Sequence, residues 1–123
     1  MVRFQNSSPR RDFLINLVLV FAGGILGSLV RYVFSEIINN EYIAVLESNI
    51  VGVFVAAVVS KSIRFTSQQK MLWITGFAGG LTTFSSLAVV TLDTSILNGV
   101  LYLLITCAST VVSLSLVRKF VKI

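Results

Sequence analysis

The chain has few of the side chains on which most catalytic sites depend. It contains no histidine, one cysteine and only five Asp and Glu residues among 123 positions. Those acids fall at the ends of apolar segments or in loops, so we expect neither enzymatic activity nor an organic cofactor. The single cysteine, Cys107, cannot form a disulfide or a zinc site within one chain, and its apolar surroundings predict a buried, inert thiol.

Charged residues and proline are also scarce, and apolar residues take their place. Charged residues make up 12% of the chain and hydrophobic residues 55%, and the mean hydropathy is +0.91. Four apolar segments lie at about residues 13–34, 43–60, 71–92 and 94–117, each near the ~20 residues that a helix needs to cross a bilayer. We therefore predict an all-α membrane protein, with one four-helix domain over residues 1–123 embedded in the lipid bilayer.

The ten basic residues are distributed unevenly about the four segments. Nine lie before the first segment, between the second and third, or after the fourth, while Arg31 lies on the other side with Glu36, Glu41, Glu47 and Asp93. Because loops rich in Lys and Arg stay in the cytoplasm, this pattern predicts a multi-pass protein of the cell membrane with both termini cytoplasmic. The flanking positions also explain the net charge of +5, so we expect no nucleic-acid partner.

The sequence GFAGGLTTFSS, residues 76–86, lies near the middle of the third segment. Two glycines followed by two β-branched threonines disfavour a continuous helix, and we predict a break at residues 79–83. Backbone groups freed by a break in lipid need partners from neighbouring side chains, water or an ion. Two interpretations follow: an ion site built from carbonyl oxygens and helix ends, or a kink whose hydroxyls bond back to the backbone.

Polar side chains also occur within the other segments. Asn49 lies near the start of the second segment, with Gly52 on the same face, and its amide needs a partner in protein or water. The fourth segment carries an uncharged stripe of hydroxyls at helical spacing, formed by Tyr102, Thr106, Ser109 and Ser113. Both features are compatible with helix packing and with a polar path whose hydrogen bonds replace water around a small ion.

The first segment contains GGILGSLVRY, residues 23–32. Gly23 and Gly27 form a G-x-x-x-G pair on one helix face, which favours the close approach of another helix. Arg31 ends the segment on the side that otherwise lacks positive charge. It can extend to the lipid headgroups, or it can form an electropositive vestibule that gathers anions. Four short helices enclose little space, so we expect an oligomer.

Together with SNIVGVF in the second segment, GGILGSLVRY and above all GFAGGLTTFSS resemble the small Fluc-type fluoride channels, also called CrcB-like proteins. The resemblance covers nearly the whole chain. It implies a four-helix subunit that pairs with a second homologous subunit in antiparallel orientation, giving a dual-topology dimer with two narrow pores and a central structural sodium ion. The function implied is the export of cytoplasmic fluoride by passive flow.

The resemblance also implies roles for individual residues. Gly79 and Thr82 match the positions whose backbone carbonyls hold the sodium ion. Asn49 matches a pore asparagine, Phe84 the first of two pore phenylalanines, and Arg31 the arginine of the vestibule. The polar track of the fluoride pore is matched by six hydroxyl residues: Ser85, Ser86, Tyr102, Thr106, Ser109 and Ser113.

Two features depart from the family pattern. This chain reads TTFSSL where the family continues TTFSTF, so Leu87 replaces the second pore phenylalanine. The one-sided charge also differs from the balanced charge that usually goes with self-pairing in both orientations, and both departures favour a heterodimer over a homodimer. A non-conducting or half-functional accessory subunit is an alternative. A small multidrug-type exchanger would need a titratable group at mid-membrane, and no Asp or Glu lies centrally in a segment.

Overall fold

The computed structural model describes residues 8–120, which form four long helical spans joined by short turns. The first span is α1, Pro9–Ile37, and the second is α2, Glu41–Lys61. The third span is Ser67–Leu92 and the fourth, α5, is Ile96–Phe120. All four are long and apolar enough to cross a membrane, so the prediction of an all-helical, multi-pass membrane protein is confirmed.

The third span is interrupted at two residues. It begins as α3, residues 67–81, and resumes as α4, Phe84–Leu92. Between these helices the backbone of Thr82 and Thr83 is extended, with φ and ψ of −74° and 146° at Thr82 and of −146° and 120° at Thr83. The interruption is narrower than the predicted 79–83, because both glycines remain helical and only the β-branched threonines leave the helix.

The helices start where the sequence supplies a capping oxygen. The Ser8 hydroxyl accepts a hydrogen bond from the Arg11 amide, and Pro9 occupies the first turn, where no amide donor is needed. At the second span, the Asn40 side-chain oxygen accepts from the Tyr42 amide at 3.0 Å. These caps fix the turn between the first two spans and the entry to α1.

The first and third spans pack with their backbones in contact. A Cβ added to Gly23 would collide with the Leu72 carbonyl oxygen, and one added to Gly27 would collide with that of Phe77. The close helix approach expected from the G-x-x-x-G pair is therefore made within the chain. At this contact α3 winds as a wider π-helix over Met71–Ala78, a rare form that occurs frequently at functional sites.

The other spans meet α4 in a small apolar core. Its buried members come from α2, α4 and α5 and are Val45, Leu87, Val90 and Tyr102. By contrast, α1 and α5 carry large exposed apolar side chains such as Phe21 and Leu104. In a membrane such surfaces face lipid or another subunit.

Candidate ion pathway at the break in the third span

One hydrogen bond joins the break to the second span. The Thr83 amide donates to Oδ1 of Asn49 at 2.8 Å, and both residues are buried. Thr83 is also the N-cap of α4. Its hydroxyl accepts a hydrogen bond from the Ser86 amide at 3.1 Å. Gly52 makes room for the break, because a Cβ there would collide with the Thr82 methyl group.

These two bonds leave specific carbonyls without their helical donors. In a continuous helix the Gly79 carbonyl would accept from the Thr83 amide, and the Thr82 carbonyl from the Ser86 amide. Both amides are instead bound by side-chain oxygens, those of Asn49 and Thr83 respectively. Gly79 is exposed, and a Cβ added to it would meet nothing within 4 Å. The carbonyls predicted to hold sodium are thus among those that lose their helical donors at the break, and oxygen is the ligand that hard cations take.

A surface groove of about 550 Å³ runs beside the break. α2, α4 and α5 supply its walls, and the predicted pore residues among them are Asn49, Phe84 and Thr106. The remaining residues that line it are Val53, Thr82, Thr83, Leu87, Leu103, Cys107, Thr110 and Val111. The expectation of a buried Cys107 was wrong, because α5 turns this residue to the exposed side of the groove.

The bond to Thr83 fixes the orientation of the Asn49 amide. A backbone N–H can only donate, so the atom facing it is the amide oxygen. The NH₂ group of Asn49 then retains two donors beside the groove that this residue lines. An asparagine held in this way presents hydrogen-bond donors without a charge.

Phe84 lines the same groove. Its side chain is 79% exposed, although it is large and apolar and follows directly after the buried Thr83. The edge of an aromatic ring is the positive part of its quadrupole, so an anion is attracted to the edge and repelled by the face. Asn49 and Phe84 therefore give the groove two uncharged groups that favour an anion.

Most of the predicted hydroxyl track bonds to the backbone of the chain. Thr106, Ser109 and Ser113 each donate to the carbonyl four residues earlier, at 2.8–2.9 Å. The Tyr102 hydroxyl donates to the Tyr42 carbonyl at 2.7 Å and so ties α5 to the start of α2. Of these four residues, only Thr106 lines the groove.

The predicted site residues Ser85, Ser86 and Arg31 do not line the groove. Ser85 lies beside Thr83, whereas Ser86 and Arg31 lie at a second cavity. Ser85 is exposed and lies within 3.2 Å of the Thr83 hydroxyl, while Ser86 lines a second cavity of about 230 Å³. Arg31 lines that second cavity as well, away from the groove. The structure thus places Arg31 with Ser86, and Asn49 with Phe84 and Thr106.

Thr83 and Thr110 were missed by the sequence analysis. Thr83 has a recognisable signal, since a threonine just ahead of an apolar helix is a typical N-cap. Thr110 has a weaker signal, since it lies four residues after Thr106 and therefore on the same face of α5.

Comparison with known proteins identifies a family over most of the chain. Residues 18–118 match the family described as "CrcB-like protein, Camphor Resistance (CrcB)". A protein named fluoride-specific ion channel FluC from Gloeothece citriformis is 36% identical over 81 residues, covering 59% of this chain and 66% of the relative. Those of Burkholderia cenocepacia and Proteus mirabilis are 37% and 35% identical, covering 60% and 62% of this chain and 64% and 68% of theirs.

The alignment spans somewhat less than two thirds of the first two relatives. No solved structure matches the chain significantly. The names of the relatives are those of channels rather than enzymes, in agreement with the composition. Because the family match extends from the middle of the first span to the end of the fourth, this chain belongs to the CrcB-like family.

Proposed function

We propose that this chain is a subunit of a fluoride-specific channel that lets cytoplasmic fluoride flow passively out of the cell. Family membership and the printed names of the relatives support fluoride as the ion. The observation that carries the proposal is the Asn49 amide, whose oxygen is bound by the Thr83 amide and whose NH₂ group lies beside the groove. A donor held in this way favours an anion over a cation.

In this proposal the groove replaces the water around fluoride with weak, uncharged partners. The Asn49 NH₂ group donates hydrogen bonds, and the Phe84 ring offers its edge. The hydroxyls of Thr106 and Thr110 lie along the same groove, and each can turn from its own helix carbonyl to the passing ion. None of the side chains that line the groove is charged, so the ion is bound weakly enough to leave again.

We also propose that the carbonyls of Gly79 and Thr82 hold a structural sodium ion. Support comes from the two amides that the break diverts to side-chain oxygens, and from the open space beside Gly79. A bound sodium ion would supply a fixed positive charge at the break. Two carbonyls are too few for a hard cation, so the remaining oxygens would come from water or a second subunit.

A second subunit is proposed because one chain leaves the groove open along one side. Phe84 and Gly79 are both exposed at the break, which is where a partner would cover them. We favour a homologous, antiparallel partner rather than a second copy. At the position of the second pore ring this chain has Leu87, which lines the groove but has no ring edge to offer an anion.

The charge distribution supports a single orientation with both termini in the cytoplasm. The Lys61 ammonium donates to the Arg118 carbonyl at 2.9 Å, so the basic ends of α2 and α5 meet at one end of the molecule. In residues 8–120 every Lys and Arg except Arg31 lies at that end, by the course of the four spans. A subunit fixed in one orientation needs a partner fixed in the other.

The test is fluoride efflux from liposomes that contain this chain alone or with an oppositely biased homologue. We expect slow efflux from the chain alone and fast, chloride-excluding efflux from the pair. Phe84→Ile should slow the pair, because isoleucine has no ring edge. The channel proposal fails if neither preparation carries fluoride. If Phe84→Ile leaves the flux of the pair unchanged, the chain is a non-conducting accessory subunit.

A further inference from the structure

The end of the molecule where α2 and α5 finish carries three basic side chains close together. Lys61 occupies the last turn of α2, and Arg118 and Lys119 occupy the last turn of α5. The Lys61 ammonium donates to the Arg118 carbonyl at 2.9 Å, so the two helix ends lie side by side. All three side chains are exposed, and the neighbouring Val117 is buried. We call Lys61, Arg118 and Lys119 the basic site.

The charge of the basic site is not matched by acidic side chains among residues 8–120. The acid at this end of the molecule is Asp12 of α1, which lines a cavity with Asn16 and the start of the third span. The Lys61 ammonium has two donors left after its bond to the carbonyl, and the Arg118 guanidinium has five. Donors in this number suit an anion with several oxygens, of which phosphate is the common biological example.

Large apolar side chains beside the basic site are exposed as well. Ile63, two residues after Lys61, is 88% exposed, and Phe120, next to Lys119, is 70% exposed. Along α5 this exposed surface continues at a spacing of four residues, which keeps it on one helix face, with Leu116 and Val112. A free anion gains nothing from such a surface. A phospholipid does, because its acyl chains lie directly below its phosphate group.

We propose that the basic site binds the phosphate group of an anionic phospholipid whose acyl chains lie along α5 below Phe120. The positive-inside rule concerns the orientation of a chain and needs no particular lysine or arginine. The basic site is more specific, because α2 and α5 each supply part of it. A bound lipid would therefore bridge two helices that line the groove. The proposal rests on the membrane fold and is independent of the transport of fluoride.

The experiment measures the thermal unfolding midpoint of the full chain in neutral detergent as lipid is added. Phosphatidylglycerol is anionic and should raise the midpoint by roughly 5 °C, because a ligand that binds only the folded state stabilises it. Phosphatidylcholine has a phosphate group and acyl chains but no net charge, and it should raise the midpoint much less. Inorganic phosphate at the same concentration has charge without acyl chains and should also have little effect.

Two paired substitutions locate the response. Arg118→Gln with Lys119→Gln removes two charges from the basic site, and Arg10→Gln with Arg11→Gln removes two exposed charges from the start of α1. The first pair should raise the phosphatidylglycerol concentration for half of the midpoint shift by roughly ten-fold or more, because each basic residue at a membrane surface contributes about five-fold. The second pair should match the wild type.

Three results would overturn the lipid site. Equal losses in the two pairs would mean that the lipid responds to net charge alone. Equal stabilisation by phosphatidylcholine and phosphatidylglycerol would mean that the basic site does not recognise the charge of the headgroup. Equal stabilisation by inorganic phosphate and phosphatidylglycerol would indicate a site for a free anion. The shift is measured against each variant's own midpoint without lipid, so a change in basal stability does not imitate a loss of binding.

Discussion

Asn49 and Thr83 organise the site through a single hydrogen bond. The bond gives the freed Thr83 amide a partner, which is a requirement for any broken helix in lipid. It also turns the Asn49 NH₂ group to the groove. One contact therefore meets a folding requirement and sets the polarity of the candidate ion path, so the two effects need to be separated by substitution.

The substitution Asn49→Asp separates the role of Asn49 in folding from its role in the polarity of the ion path. The variant keeps an oxygen that can accept from the Thr83 amide, but it loses both amide donors and adds a negative charge beside the groove. We expect the helix content to be retained and fluoride efflux to fall roughly 100-fold or more, because like charges repel strongly in a poorly solvated site. Circular dichroism and liposome efflux measure the two effects.

The matched control is Asn98→Asp, which makes the same change at an exposed residue near the start of α5. Its efflux should equal that of the wild type. Wild-type efflux in Asn49→Asp would contradict the assigned role of the amide. Loss of helix content in Asn49→Asp would mean that the acceptor oxygen alone does not preserve the break.

Leu87→Phe tests whether the missing ring limits conduction. Leu87 is 8% exposed, packs with Val90 in the core and also lines the groove. A larger side chain should lower stability by about 1–3 kcal/mol through overpacking, while its ring edge should raise efflux of the pair several-fold. Val90→Phe is the control, since it overpacks the same core and should lower stability without any gain in efflux. Equal efflux in the two variants would contradict the prediction.

At the scale of helices, the third span was predictable in outline but not in detail. The pattern Gly-Gly-Leu-Thr-Thr correctly indicated a break. It did not reveal that Gly80 serves the approach of α1 and that the backbone leaves the helix only at Thr82, because the same glycine is compatible with a bend and with close packing. That choice depends on the neighbouring helix, which local sequence does not contain.

The fourth span was likewise predictable from the sequence in outline but not in detail. Helical spacing put Tyr102, Thr106, Ser109 and Ser113 on one stripe of α5, and all of them except Ser109 are buried. Helical spacing does not predict the hydrogen-bond partner of each hydroxyl. Here the Thr106 and Ser113 hydroxyls donate to carbonyls in the preceding turn of their own helix. The position of Cys107 was missed because the surrounding apolar residues face lipid or the groove rather than a core.

The contact between α1 and α3 leads to a paired prediction. An alanine at position 27 would place its methyl group against the Phe77 carbonyl, whereas a Cβ at position 24 would lie at an ordinary 3.9 Å from the Gly76 carbonyl. Gly27→Ala should therefore lower stability by about 1–3 kcal/mol, and Gly24→Ala should change it little. Thermal unfolding in detergent measures both. Equal midpoints would contradict the close packing of these two helices.

At the scale of the whole molecule, the exposed break is the feature that a partner should cover. Gly79→Ala is informative because a Cβ at this position meets nothing within 4 Å in the single chain. The chain should fold normally, while the dimer fraction in detergent and the effect of sodium on its stability should both fall. Gly24→Ala serves as a control. An unchanged dimer fraction and sodium response would contradict both the proposed interface and the proposed sodium site.

The bond between Thr83 and Asn49 also restricts the movement of α4 relative to α2, which affects how soon efflux begins. α4 cannot swing away from α2 unless this 2.8 Å bond breaks, and Asn49 is fixed within a continuous helix of 21 residues. In the proposed channel, a path narrowed at this point would have its width set by the packing of α2 against α4 as the protein folds. Fluoride efflux through such a path should begin without delay after a concentration step.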